Sequence, residues 1–144
     1  MNIWVNGCFD ILHTGHIDLL WFAKLYKTNE TNELDIFSQN RLIVGLDSDN
    51  RIKQYKGNGR PINDAMTRLK IMSNLKMVDN VVIFNNDSEL EKYITLFDID
   101  YIIVGEEYRN KRVVGSDFVK IGVDYYPIVN GLSTTNIINK IKTL

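Results

Sequence analysis

Apolar and polar positions along the chain alternate between two kinds of run. Compact β-rich runs predict five strands: Ile3-Trp4-Val5, Leu42 to Leu46, Val81 to Phe84, Tyr101 to Val104, and Tyr125 to Val129. Between them, apolar residues recur at helical spacing. Ile17, Leu19, Leu20, Trp21, Ala23 and Tyr26 put apolar groups on most sides of one helix, which is therefore expected to be largely buried. Ala65, Leu69, Met72 and Leu75 mark a second helix, with Asn63 or Asp64 as its N-cap. Leu90, Tyr93, Ile94 and Phe97 mark a third, opened by a capping box over Ser88-Glu89-Leu90-Glu91, and Ile137, Ile138 and Ile141 a last one capped by Ser133. Two stretches break the pattern. The polar TNETNELDIFSQN, Thr28 to Asn40, reads as a surface loop or helix extension, and RIKQYKGNGRPIN, residues 51–63, mixes positive charge, Gly and Pro without periodicity.

Near-continuous apolar strands separated by helices imply a parallel sheet covered on both faces, because parallel strands need crossover connections. The expected architecture is one doubly wound α/β domain over residues 1–144, with about five strands. In such a sheet ligands bind at the carboxyl ends of the strands, where the strand order reverses. Four polar segments fall at those ends: Gly7 to His16, Asp47 to Arg60, Gly105 to Arg112, and Gly131 to Thr135.

Charge and cysteine content narrow the chemistry. With 17 Lys+Arg against 18 Asp+Glu the net charge is -1, so the overall balance favours neither nucleic acid nor an acidic membrane surface, and local patches must carry any anion binding. The single cysteine, Cys8, excludes an intramolecular disulfide and fits a reducing compartment, so a cytoplasmic location is expected. The N-terminus MNIWVNGCFD lacks a basic n-region and a long apolar h-region, and no stretch approaches the ~20 apolar residues of a membrane span.

The only two histidines, His13 and His16, bracket Gly15 in GCFDILHTGH, at the start of the first helix. Free N–H groups and the positive end of the helix dipole attract phosphate there, imidazole N–H donors add to that attraction, and glycine lets an anion approach the backbone. Two other uses remain open on the residues alone. Histidines at i, i+3 can share a metal, although no H-E-x-x-H arrangement accompanies them, or one can cap the helix while the other packs. In the second segment Lys53, Lys56 and Arg60 lie among Gly57 and Gly59, with Arg68 in the next helix, a plausible Gly-hinged clamp for a polyphosphate. At the chain end GLSTTNII offers three hydroxyls, Ser133, Thr134 and Thr135, where ordinary capping needs one.

GCFDILHTGH resembles the first signature of the cytidylyltransferase-like nucleotidyltransferases, the enzymes with an HxGH motif, and GLSTTNII resembles their second, ISTT-type signature. Within that superfamily YKGNGRPIN, Arg68, MVDNVVIF and VVGSDF look most like the adenylyltransferases of ADP-heptose synthesis. The resemblance covers the chain apart from Thr28 to Asn40. It implies a Rossmann-like fold and transfer of a nucleoside monophosphate from a triphosphate, expected to be ATP, to a sugar phosphate such as heptose 1-phosphate, with release of pyrophosphate. It also implies Mg²⁺ held mainly by the triphosphate, and a homodimer. By the same resemblance His13, His16 and Lys56 are catalytic, and Gly7, Phe9, Gly15, Arg68, Gly105, Glu107, Ser133, Thr134 and Thr135 contact the nucleotide. Asp10, Asp47 and Arg60 face the acceptor.

Two departures bear on the substrate. Related glycerol-phosphate cytidylyltransferases carry RTEGISTT, whereas this chain reads PIVNGLSTT with Ile128 at the arginine's position, which argues against CDP-glycerol as the product. The heptose enzymes usually show KGGDY after the fourth strand, and here the segment is Val104-Gly105-Glu106-Glu107-Tyr108. The competing functions are synthesis of CDP-glycerol or a CDP-polyol by a glycerol-3-phosphate cytidylyltransferase-like enzyme, a nucleotide-binding regulatory protein without turnover, and a metal-dependent hydrolase using the histidine pair.

Overall fold

The computed structural model describes residues 1–28, 40–127 and 131–144. The polar stretch after Thr28 and the position of Ile128 therefore lie outside the described residues. Five parallel strands, β1 (Asn2–Gly7), β2 (Arg41–Asp47), β3 (Asn80–Phe84), β4 (Tyr101–Gly105) and β5 (Gly122–Tyr126), form one sheet in the order β3-β2-β1-β4-β5. The helices are α1 (Thr14–Lys24), α2 (Asp49–Lys56), α3 (Ala65–Ser73), α4 (Asp87–Leu96) and α5 (Thr134–Lys142).

Alternation along the strands sorts the core into two layers. Ile3 and Val5 of β1, with Leu42, Val44 and Leu46 of β2, pack with Leu20 and Ala23 of α1 and Met72 of α3 on one face. Trp4 and Ile43 point to the other face and meet Leu90 and Ile94 of α4. Gly45 leaves room for the Trp4 indole, which lies where a Cβ would stand.

The strand order reverses at β1, and this is where the fold makes space. β1 keeps six register pairs with β2, from Asn2↔Arg41 to Gly7↔Leu46, but only two with β4, Ile3↔Tyr101 and Trp4↔Ile102. Beyond Trp4 the two strands cease to pair, and a crevice opens between their carboxyl ends, the place where doubly wound sheets take ligands.

Three local expectations change. The aperiodic 51–63 stretch contains α2: Ser48 caps it, its side chain accepting from the Arg51 N–H (3.2 Å), Gly57 ends it at φ 88°, and only Ile52 is buried, so no apolar stripe marked it. The α4 cap is Asn86, which accepts from the Glu89 N–H (2.9 Å), while Glu89 reaches back to the Asn85 N–H (2.7 Å); the box is framed two residues before Ser88. The last strand runs from Gly122 to Tyr126 rather than from Tyr125. It is an edge strand, and Asp124 within it accepts a hydrogen bond from the Tyr26 hydroxyl, so a polar residue is tolerated where the apolar pattern pointed further along.

Candidate active site

A cleft of about 680 Å³ occupies the crevice and receives all four polar segments singled out in the sequence. Of the candidate residues, Arg68 and Lys53 of the expected clamp do not line it.

The histidines stand at its centre, and local backbone bonding fixes both. His13 is the N-cap of α1: the Gly15 N–H donates to His13 Nδ1 (3.1 Å), and the His13 N–H donates to His16 Nδ1 (3.2 Å). The rings stack with centroids 3.9 Å apart. Because each Nδ1 accepts, each neutral ring carries its proton on Nε2, the nitrogen left for a ligand. Burial, followed by the neighbouring His13 and Lys56, pulls the His16 pKa down to about 4, and burial lowers that of His13. Both rings are therefore neutral donors at pH 7. Capping and anion binding, alternatives in the sequence, are here compatible uses of one pair.

Two neighbours hold this geometry. A Cβ on Gly15 would stand 2.9 Å from His13 Cε1 and 3.4 Å from Leu132 Cβ, so this glycine admits the His13 ring and the approach of the segment before α5. Phe9 adopts a left-handed backbone (φ 46°) and is 5 % exposed; its ring lies 5.4 Å from that of His16. It borders the cleft but acts mainly as a wall behind His16.

The second signature docks directly on the first. The Thr134 hydroxyl donates to the Ile11 carbonyl (2.8 Å), bringing the N-termini of α5 and α1 to the same part of the cleft. Ser133 caps α5 by accepting from the Asn136 N–H (3.0 Å), so its own hydroxyl proton is still available, and Thr135 is exposed. Of the three hydroxyls, that of Thr134 is committed to structure.

The charged residues of the second segment divide into two groups. Lys56 ends α2 rather than sitting in a loop, borders the cleft, and is close enough to depress the titration of His16 and of the Cys8 thiol. Burial is the larger influence on that thiol, raising its pKa, with Asp47 acting in the same sense. Arg60 also faces the cleft, 3.5 Å from Asp10 through Nε. Asp10 itself is only 3 % exposed and accepts from the Ile62 (2.7 Å) and Asn63 (2.8 Å) N–H groups. Its carboxylate thus ties the first loop to the 60–63 segment, where the sequence suggested acceptor contact. Arg68 is corrected outright. It is 0 % exposed and donates to the Cys8 carbonyl (2.8 Å), the Asn63 carbonyl (3.0 Å) and Asp49 (2.9 Å), a brace beneath the site with no open path to a nucleotide.

Several cleft residues escaped sequence reasoning. Arg51 donates to Asp47 (2.7 Å) and Asp87 (3.0 Å); the i, i+4 spacing of Asp47 and Arg51 is a visible clue only once α2, which has no apolar stripe, is known to be a helix. Tyr55 and Arg112, also unremarked, border the cleft with it, as does Tyr108, noted only within the GEEY departure. Glu107 folds back over Gly105 so closely that a Cβ there would overlap its carboxylate. The Tyr108 pKa is raised by burial first, then by Glu107, Asp47 and Cys8. Among the described residues no group of three or more His, Cys, Asp or Glu side chains is arranged to hold a metal, and no described helix is long and apolar enough to cross a membrane.

The chain is 44% identical over 140 residues to the bifunctional protein HldE of Campylobacter fetus subsp. fetus, covering 97% of this chain and 28% of that protein. It is 41% identical over 140 residues to the bifunctional protein HldE of Helicobacter pylori, with 97% and 27% covered. The chain therefore spans just over a quarter of the length of these relatives. A crystal structure of the lipopolysaccharide core biosynthesis protein from Thermoplasma volcanium shares the fold, with TM-score 0.62 and 23% identity over 88% of this chain and 98% of that one. The cytidylyltransferase-like family model matches residues 4–140, across both signatures and every wall of the cleft, and the chain belongs to that family.

Proposed function

We propose that this domain is a nucleotidyltransferase that moves AMP from ATP to a sugar phosphate such as heptose 1-phosphate and releases pyrophosphate. The observation that carries the proposal is the convergence of two helix N-termini and two neutral imidazoles on one cleft, locked together by the Thr134 bond to Ile11. Resemblance to the adenylyltransferases of ADP-heptose synthesis supports the choice of substrates.

The acceptor phosphate is already ionised at neutral pH and needs no strong base. One of its oxygens forms a bond to the α-phosphorus while the bond from that phosphorus to the bridging oxygen of the β-phosphate breaks, and the electron pair leaves on pyrophosphate. The difficulty is bringing two anions together in line, so positioning and electrostatics dominate. His13 and His16 donate from Nε2 to the triphosphate, Lys56 closes on it from the end of α2, and the N-terminus of α5 with Ser133 and Thr135 holds the outer phosphates. Mg²⁺, held chiefly by the triphosphate, supplies further charge neutralisation when bound. The nucleoside lies on the β4–β5 side, against Gly105, Tyr126 and Leu132, and the acceptor on the β2 side, near Asp47 and Arg60. A cytoplasmic homodimer completes the proposal; α5 has no fully buried residue and leaves Ile141 58% exposed, a surface a second copy could cover.

The test is pyrophosphate release across ATP and CTP against heptose 1-phosphate, other sugar 1-phosphates and glycerol 3-phosphate. ATP with a sugar phosphate should turn over fastest. CTP with glycerol 3-phosphate in first place would refute the substrate assignment, and nucleotide binding without turnover on any acceptor would point to a regulatory protein.

A further inference from the structure

The β2 side of the cleft is built differently from the phosphate side, and the difference bears on the kind of acceptor it fits. Arg51 is fixed in place: its side chain is 13% exposed, bonded to Asp47 and Asp87, with the guanidinium 5.1 Å from the Phe84 ring centroid and 5.2 Å from that of Tyr55. Two carboxylates balance its charge, so it offers little net attraction to a second anion. What it does is support its neighbours. One face of the Tyr55 ring rests over the guanidinium, yet Tyr55 is 70% exposed and borders the cleft, so the ring presents a pre-positioned open face.

Asp47 has a matching vacancy. Its Oδ1 is taken by Arg51 at 2.7 Å, whereas among the described residues Oδ2 has only the Cys8 thiol at 3.7 Å, which leaves acceptor capacity on a carboxylate that lines the cleft. Tyr108, 44% exposed, reaches in from the end of β4. A carboxylate oxygen with acceptor capacity, in a cleft that two tyrosines also line, suits a ligand that has hydroxyls on its edge and C–H groups on its faces. That is a sugar ring; a short open-chain polyol phosphate has no face to stack.

Resting on the function proposed above, we propose that Tyr55 and Tyr108 flank the sugar ring of the acceptor while Asp47 accepts from its hydroxyls, so that the β2 side is a pyranose subsite and Tyr55 sets a preference for ring over open-chain acceptors. The experiment measures pyrophosphate release at saturating ATP for the wild type, Tyr55→Ala and Tyr55→Phe. Heptose 1-phosphate, mannose 1-phosphate and glycerol 3-phosphate serve as acceptors, or as competitors where they are not turned over. Tyr55→Ala should raise KM or Ki for the two ring compounds about tenfold, the scale of one lost aromatic contact, and that for glycerol 3-phosphate less than about twofold. Tyr55→Phe, which keeps the ring face, should stay within about twofold of wild type. The side chain is exposed, so both variants should fold. Equal changes for ring and open-chain compounds, or Tyr55→Ala behaving as wild type, overturn the subsite alone. A wild-type protein that turns over neither sugar phosphate overturns the subsite and the proposed function together.

Discussion

The two halves of the cleft commit their polar groups in opposite ways. On the phosphate side, side chains are anchored to main chain: Gly15 N–H to His13, His13 N–H to His16, Asn136 N–H to Ser133, Thr134 to the Ile11 carbonyl. On the β2 side they are anchored to one another, Asp47 to Arg51 to Asp87, with Tyr55 resting on the result. Three of the main-chain bonds close within two or three residues, which a short motif can encode, and the fourth, Thr134 to Ile11, joins the two motifs into one rigid donor set. Side-chain anchoring between elements produces a surface whose shape depends on two segments, residues 47–55 and Asp87, and which can be altered without disturbing the phosphate side.

Substitutions can break that contrast. The largest effect is expected for His16→Ala, which removes a donor aimed at developing charge and should lower the rate of pyrophosphate release by about 10²–10³ while circular dichroism stays native; a loss below tenfold would remove His16 from the chemistry. Next is Arg68→Ala beneath the boundary of the two halves. It strands the Cys8 and Asn63 carbonyls and should cost about 3 kcal/mol in denaturant unfolding, the range for breaking a buried charged brace. Arg51→Ala should touch the β2 side alone, raising the KM for sugar phosphate by about tenfold through loss of the Asp47 and Tyr55 supports, while the KM for ATP stays near wild type; a parallel rise in both would erase the distinction.

The smallest effect is a pH dependence confined to the phosphate side. The folded protein holds His16 near 4, whereas the unfolded chain titrates near the ordinary 6.5, so between those values the unfolded state binds the extra proton. Stability should therefore decline as pH falls from about 6.5 toward about 4, and His16→Gln should remove that component from the urea midpoint measured against pH.

The same contrast governs how much the sequence disclosed. Strands β1 to β4 were legible because buried parallel strands are apolar on both faces, and the first and second signatures because their contacts are local. β5 was misplaced by three residues because Asp124 breaks its run and is satisfied by Tyr26, a partner 98 positions away. α2 was hidden by having a single buried residue, Ile52, and with it went the Asp47 and Arg51 pair. Arg68 was assigned to the ligand because a cation beside a phosphate site looks like a clamp; only three-dimensional contacts show that its donors are spent on Cys8, Asn63 and Asp49.

The early parting of β1 from β4 after Trp4 also makes the main chain a reporter of occupancy. Amides of Val5 to Gly7 that face the gap have no strand partner there, while those facing β2 remain bonded up to Gly7. In deuterium exchange the empty protein should show fast and slow amides alternating along one strand, and a bound ligand should slow only the fast ones.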